Sequence, residues 1–300
     1  MRFNSPYFYL AFFLILNIFN FVDRNLLIAF APQIKSEFNL TNVQWGLLTG
    51  VYFLFFYSVF GIFMGVLGDK FSRMKIAAAG VFLWSLMTAV TGIAKNFSHL
   101  IFARALIGVG ESALTPNAIS MLSDLFKQNQ RGTASAIYYL GIPLGVGFGM
   151  LIAAFFGPIF GWRAVFIFLG LIGMGLGILT YFLFEPIRGQ LDINFDKTSK
   201  PNSIKDILSM TKSALYNSKC LTFVIIGSIF LHIPLGAGNF EVLWAVNERG
   251  FTASSYNSLF GFLFIIGGTV GALAGGILSD RLSHYFKGGV MTFLVISYII

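Results

Sequence analysis

The chain has 300 residues, of which 56% are hydrophobic and 11% charged, with a mean hydropathy of +0.79. A soluble domain carries about 25% charged residues, so a water-soluble fold is excluded and lipid must solvate much of the surface. The net charge of +8 is scattered through short loops rather than gathered into a nucleic-acid face, and the single cysteine, Cys220, excludes an internal disulfide and any cysteine-based metal cluster.

Taken in chain order, the first apolar run extends from Pro6 to Ala31 and carries Asp23 and Arg24. A signal peptide has a shorter apolar core and a small-residue cleavage site, so this run predicts a transmembrane helix. Apolar runs near the length a bilayer demands predict spans at 7–31, 44–67, 76–94, 99–122, 133–156, 162–183, 220–246 and 255–278. A ninth begins near Gly289 and Ile300 falls inside it. On this reading the second half is unfinished, because the chain is truncated or only partly at hand. The runs are continuous and do not alternate polar with apolar, which predicts helices and not barrel strands.

With the N-terminus cytoplasmic, 14 of the 20 basic residues fall on inner segments and four (Lys35, Lys95, Arg163, Arg249) in outer loops, while Arg24 and Arg104 lie within spans. That asymmetry predicts a multi-pass protein of the plasma (inner) membrane with its N-terminus inside. Residues 185–219 are polar and predict a cytoplasmic linker, with a surface helix around Ile204–Leu215. The expected organisation is a six-helix bundle over 1–184, the linker over 185–219, and the start of a second bundle over 220–300.

The stretch from Gly65 to Arg73 (GVLGDKFSR), after the second span, is echoed from Gly275 to Ser283 (GGILSDRLS), after the second span beyond the linker. Such self-similarity points to a duplicated transporter. The loop GVLGDKFSRMK resembles the signature between helices two and three of the major facilitator superfamily. FARALIGVGESA in the fourth span and GIPLGVGFG in the fifth are similar to that family's patterns. FNFVDRNLL in the first span, taken with the GVGES glutamate, resembles the spinster-type and anion:cation-symporter branches. The resemblance implies an all-α fold of two six-helix bundles around a central cavity, working as a monomer. It also implies that the glycine stripes Gly141, Gly145, Gly149 and Gly267, Gly271, Gly275 face each other across the bundle interface. Pro143 lacks a backbone donor and is a candidate kink in the fifth helix. Asp69, Arg73, Asp280 and Arg281 look like the family's cytoplasmic gating latch, with Arg131 a candidate partner.

Ionisable groups inside spans cost about 2.5–3.5 kcal/mol each at a helix centre, so Asp23, Arg24, Arg104 and Glu111 are the candidate functional set. Arg104 and Glu111 are two helical turns apart and share a face, and Asp23 and Arg104 lie at similar depth. If the first and fourth helices both line the cavity, all four meet. Their charges then sum to zero. Protonating Glu111, the first candidate proton carrier, or Asp23, the second, leaves guanidinium charge free to hold a carboxylate or phosphate on Arg24 and Arg104. The bland alternative is an ion-pair network that only fixes packing. His232 is read as deep and left open, and Glu241 as near the outer end and wet.

Proton-coupled symport of a small organic anion is the leading expectation, and spinster-like movement of a lysolipid is the alternative. A cationic drug gains nothing from two arginines. A membrane sensor is disfavoured because no sizeable soluble domain is present. No cofactor, metal cluster, nucleophile–base pair or nucleotide loop is expected, so the chain is not read as an enzyme; its partners are the anion, protons and the bilayer.

Overall fold

The computed structural model describes residues 5–191, 209, 213 and 216–283, and every element among them is helical. Pro6 opens α1 (Pro6–Ala29), at a position where a missing amide donor has no intrahelical acceptor to lose. After the short α2 (Ala31–Glu37), Thr41 and Gln44 form a reciprocal capping box that starts α3 (Asn42–Gly46). A π turn, Leu47–Val51, joins α3 to α4 (Tyr52–Lys70), and together they make the second span.

Ser72 caps α5 (Arg73–Gly92) by accepting from the Lys75 amide. Asn96 caps α6 (Phe97–Glu111) by accepting from the His99 amide. The fourth span is discontinuous: α6 stops at Glu111 and the chain resumes as α7 (Leu114–Leu125). A break at mid-membrane leaves backbone groups free for a site.

The fifth and sixth spans come from α8 (Arg131–Tyr139) and the two arms of α9 (Gly141–Tyr181). Near 157–161, where the sequence predicts a loop, the two arms of α9 meet at a kink at Gly161. Its φ of 76° and ψ of 160° lie in a region open essentially to glycine. The seventh span is broken as well: α10 (Lys219–Ala237), a 3₁₀ turn at Gly238–Phe240, then α11 (Glu241–Arg249). The eighth is α12 (Ala253–Ser283). The expected ninth span and linker residues 192–208 lie outside the described residues. So do the side chains of Asp280 and Arg281.

Two apolar clusters hold the first six spans together. One gathers Phe13, Leu16, Trp84, Met121 and Tyr138, and the other Leu26, Phe30, Trp45, Leu100 and Phe166. Asp23 and Arg104 fall between residues of the two clusters along their helices, and Glu111 lies among those of the first. At the end bearing α2, Glu37 accepts from Trp162 Nε1 at 2.8 Å and from Arg163 Nη2 at 2.6 Å, while Arg163 Nη1 donates to the carbonyls of Gly92 and Ala94. Hydrogen bonds from Arg163 hold the Glu37 carboxyl below the usual carboxylate range. One arginine thus clasps three loops at that end.

The glycine stripes require correction. Gly141, Gly145 and Gly149 do lie on a helix contact, but it is with α1: side chains there would strike Asn17, Ile18, Phe21 and Val22. For Gly267, Gly271 and Gly275, an added methyl would meet no described atom within 4 Å. The contact between spans five and eight is made by Gly147 against Gly261 and Ile265, and by Gly268 against Pro143. Two residues along a helix is a turn of about 200°, so Gly147 presents the face opposite to Gly145. Gly147→Leu is therefore expected to destabilise the fold by about 1–3 kcal/mol through overpacking. Gly271→Leu should stay within about 0.5 kcal/mol of wild type. Thermal unfolding of the two variants in detergent checks the contrast.

Candidate functional site

α1 presents Asp23 and Arg24 in succession, α5 presents Thr88, and α6 presents Arg104 and Glu111. Glu111 is 1% exposed, Asp23 3% and Arg104 5%, so three of the four charges are sealed from bulk solvent. All four are close enough to interact electrostatically.

Their direct pairing differs from a pair running along helix four. Arg24 Nε donates to Glu111 Oε2 at 2.5 Å, linking the first span to the fourth. Seven residues at 1.5 Å each separate Arg104 from Glu111 by roughly 10 Å along the axis, too far for that pair to close, whereas α6 ends beside α1. Arg104 forms no ion pair among the described residues. Its guanidinium lies 4.4 Å from the Phe53 ring centroid, and the side chain lines a cavity of about 10 Å³ with Leu27, Leu48, Thr91, Leu100, Ile107 and Phe166. That volume is room for about one water molecule.

Aromatic rings enclose Arg24. Its guanidinium carbon is 4.6 Å from the Tyr57 centroid and 4.9 Å from those of Phe21 and Phe53. Phe53 therefore serves both arginines, and ring faces stabilise cations where water is scarce. Asp23 Oδ2 accepts a hydrogen bond from Thr88 Oγ1 at 2.6 Å. Asp23 Oδ1, Glu111 Oε1, Arg104 Nε and Asn20 Nδ2 are buried without a hydrogen-bond partner among the described residues. Buried polar atoms left open in this way have capacity for a ligand or water.

Spans seven and eight bond to the first, second and fifth at the end bearing α2. Trp45 Nε1 donates to the Asn239 carbonyl at 2.9 Å, Asn257 Nδ2 to the Ala29 carbonyl at 2.9 Å, and Ser254 Oγ to the Ala154 carbonyl at 2.8 Å. Glu241 accepts from Tyr256 Oη at 2.6 Å. His232 is exposed among the described residues, with its Nδ1 2.7 Å from the Ser228 carbonyl.

At the opposite end, Arg73 joins a different network from the expected latch. It is 4% exposed, and its Nη1 reaches Asp124 Oδ2 at 2.5 Å and Ser120 Oγ at 3.0 Å. Nε reaches Glu185 Oε1 at 3.0 Å, and Nη2 the Pro186 carbonyl at 3.1 Å. The carbonyl of Asp69 accepts from Arg188, and the carbonyl of Phe126 from Arg131. These Arg73 contacts stay within the first six spans and the segment that follows them. Asp124 and Glu185 were not singled out from the sequence.

Membrane-length helices, one of them broken beside a buried ion pair, define a polytopic helical membrane protein. The chain belongs to the Major Facilitator Superfamily, whose family model matches residues 13–300. It is similar to a sphingosine-1-phosphate transporter of Danio rerio, 32% identical over 180 residues, covering 59% of this chain and 36% of that protein. It is also similar to a probable L-galactonate transporter of Escherichia coli, 25% identical over 285 residues, covering 91% of this chain and 60% of that protein. Among solved structures, a bacterial homolog of the human lysosomal transporter spinster, in an inward-facing and unoccupied conformation, superposes with a TM-score of 0.79. That chain is 24% identical, and the match covers 94% of this chain and 64% of that one. The chain spans about half the length of the curated spinster proteins it matches, 46–56%.

Proposed function

We propose that this chain holds the proton and anion sites of a secondary transporter that moves a small organic anion together with protons by alternating access. The observation that carries the reading is the Arg24–Glu111 pair, buried between the first and fourth spans, with Arg104 uncommitted beside it. An anion arriving at Arg24 competes with Glu111 for the guanidinium. A proton on Glu111 removes that competitor, so each ligand strengthens binding of the other. Asp23 acts on Arg104 through charge alone, and a proton on Asp23 leaves that guanidinium freer for the anion. Residues 1–184 then form one bundle and 220–300 begin its counterpart, with the linker and N-terminus cytoplasmic and the monomer as working unit. Asp69, Arg131, Asp280 and Arg281 keep their assignment to the cytoplasmic gate, and Arg73 anchors it.

The L-galactonate relative supports this reading. The sphingosine-1-phosphate relative supports a second, in which the anion is the phosphate of an amphiphile. Phe21, Phe53 and Tyr57 around Arg24 offer apolar surface beside the charge, which suits such a ligand. Uptake of L-galactonate and of sphingosine-1-phosphate into proteoliposomes of the full-length protein, with the outer pH stepped, separates the two. Accumulation of one of them should rise as the outer pH falls. Glu111→Gln should flatten that pH profile; an unaltered profile removes Glu111 as proton carrier.

A further inference from the structure

Thr88 has more acceptors than its single hydroxyl proton can serve. Its Oγ1 lies 2.6 Å from Asp23 Oδ2 and 2.9 Å from the Trp84 carbonyl, four residues back on the same helix. Thr88 is 2% exposed and Asp23 3%, so water does not supply the missing donor from bulk. Two arrangements satisfy the geometry. With Asp23 ionised, the Thr88 hydroxyl donates to Oδ2. With Asp23 protonated on Oδ2, the new O–H donates to Thr88 Oγ1, and the Thr88 proton swings to the Trp84 carbonyl. The incoming proton stays on Asp23, the Thr88 proton only rotates, and nothing else changes.

Glu111 has no such device. Its Oε2 faces the Arg24 guanidinium, which donates in every state and cannot accept. A proton on Glu111 therefore has to sit on Oε1, which has no partner among the described residues, whereas a proton on Asp23 Oδ2 keeps Thr88 as its partner. The charged groups acting on Asp23 among the described residues are Arg24 on its own helix and Arg104 and Glu111 on α6. The group it touches on α5 is neutral.

We propose that Thr88 is a positioning residue for proton coupling, a rotating hydroxyl that holds Asp23 in one place in both protonation states. The inference rests on the reading of Asp23 as a proton carrier. Its consequence is that proton gain at Asp23 proceeds without side-chain rearrangement, leaving Arg104 as the group whose charge is released.

Infrared titration of the carboxylic C=O stretch, on the full-length protein in liposomes without substrate, tests this. The signal that Asp23→Asn removes belongs to Asp23. A hydrogen bond to a charged acceptor is stronger than one to a neutral acceptor, so Thr88→Val should move the midpoint of that signal upward by about one pH unit. Thr88→Ser, which keeps the hydroxyl, should titrate like wild type. A wild-type midpoint in Thr88→Val overturns the proposal, and so does a Thr88→Ser midpoint matching that of Thr88→Val, since methyl packing would then be the cause. Should Thr88→Val fail to fold, Thr88→Cys, a weak donor, is read in the same way. If Asp23→Asn leaves the titrating signal intact, Asp23 itself fails as proton carrier, an outcome distinct from a failure at Thr88 alone.

Discussion

Arg24→Ala is expected to give a protein that both unfolds more easily and no longer transports. Removing one partner of a buried ion pair leaves Glu111, 1% exposed, without its counter-charge; such losses cost about 3–5 kcal/mol. The transport loss has a separate origin. A hydrogen bond to a charged group is worth about 1.5–3 kcal/mol, so loss of the anion's contact with Arg24 lowers uptake roughly 10- to 100-fold. The double variant Arg24→Ala/Glu111→Gln separates the two effects, because it removes the stranded charge as well. Its melting temperature should recover most of the way toward wild type while uptake stays low. Recovery of uptake along with stability would mean that the pair only fixes packing.

Arg73→Ala is the second large expected effect, at the other end of the bundle. Arg73 ties Asp124 and Ser120 of the fourth span to Glu185 and the Pro186 carbonyl, at the start of the segment that leads away from the sixth. Asp124 is 6% exposed and would lose its cation, a change that costs about 3–5 kcal/mol for a buried pair. Arg73→Lys should recover only part of this, because a single ammonium cannot meet acceptors fanned around a planar fork. Limited proteolysis adds a local readout: cleavage within 185–191 should accelerate in Arg73→Ala and not in Gly271→Leu. Equal cleavage in both would sever the link between Arg73 and that segment.

The charges that matter most were legible in the sequence because lipid makes them conspicuous. A carboxylate or guanidinium inside an apolar run has few explanations, so Asp23, Arg24, Arg104 and Glu111 stood out by cost alone. Which of them pair did not. Helical spacing places Arg104 and Glu111 on one face, but only the packing of α1 against the end of α6 brings Arg24 to Glu111. Thr88 was invisible for the opposite reason, since a threonine in an apolar helix closes its hydroxyl on its own backbone and marks nothing. Phe53 and Tyr57 were hidden among 36 phenylalanines and 11 tyrosines, where aromatic residues facing lipid and those facing a guanidinium look alike. Asp124 and Glu185 sit at span ends, where a charge is read as wet. The glycine stripes gave a face but not its neighbour, and Gly147, off the stripe by half a turn, makes the contact with α12.

The central claim is that gaining a proton at this buried cluster makes room for an anion. Calorimetric titration of the full-length protein with whichever of L-galactonate or sphingosine-1-phosphate it accumulates, repeated in buffers of different ionisation enthalpy, counts the protons exchanged on binding. The account predicts uptake of about one proton per anion bound near neutral pH, and none in the Asp23→Asn/Glu111→Gln double variant. Binding by the wild-type protein with no proton taken up would contradict it.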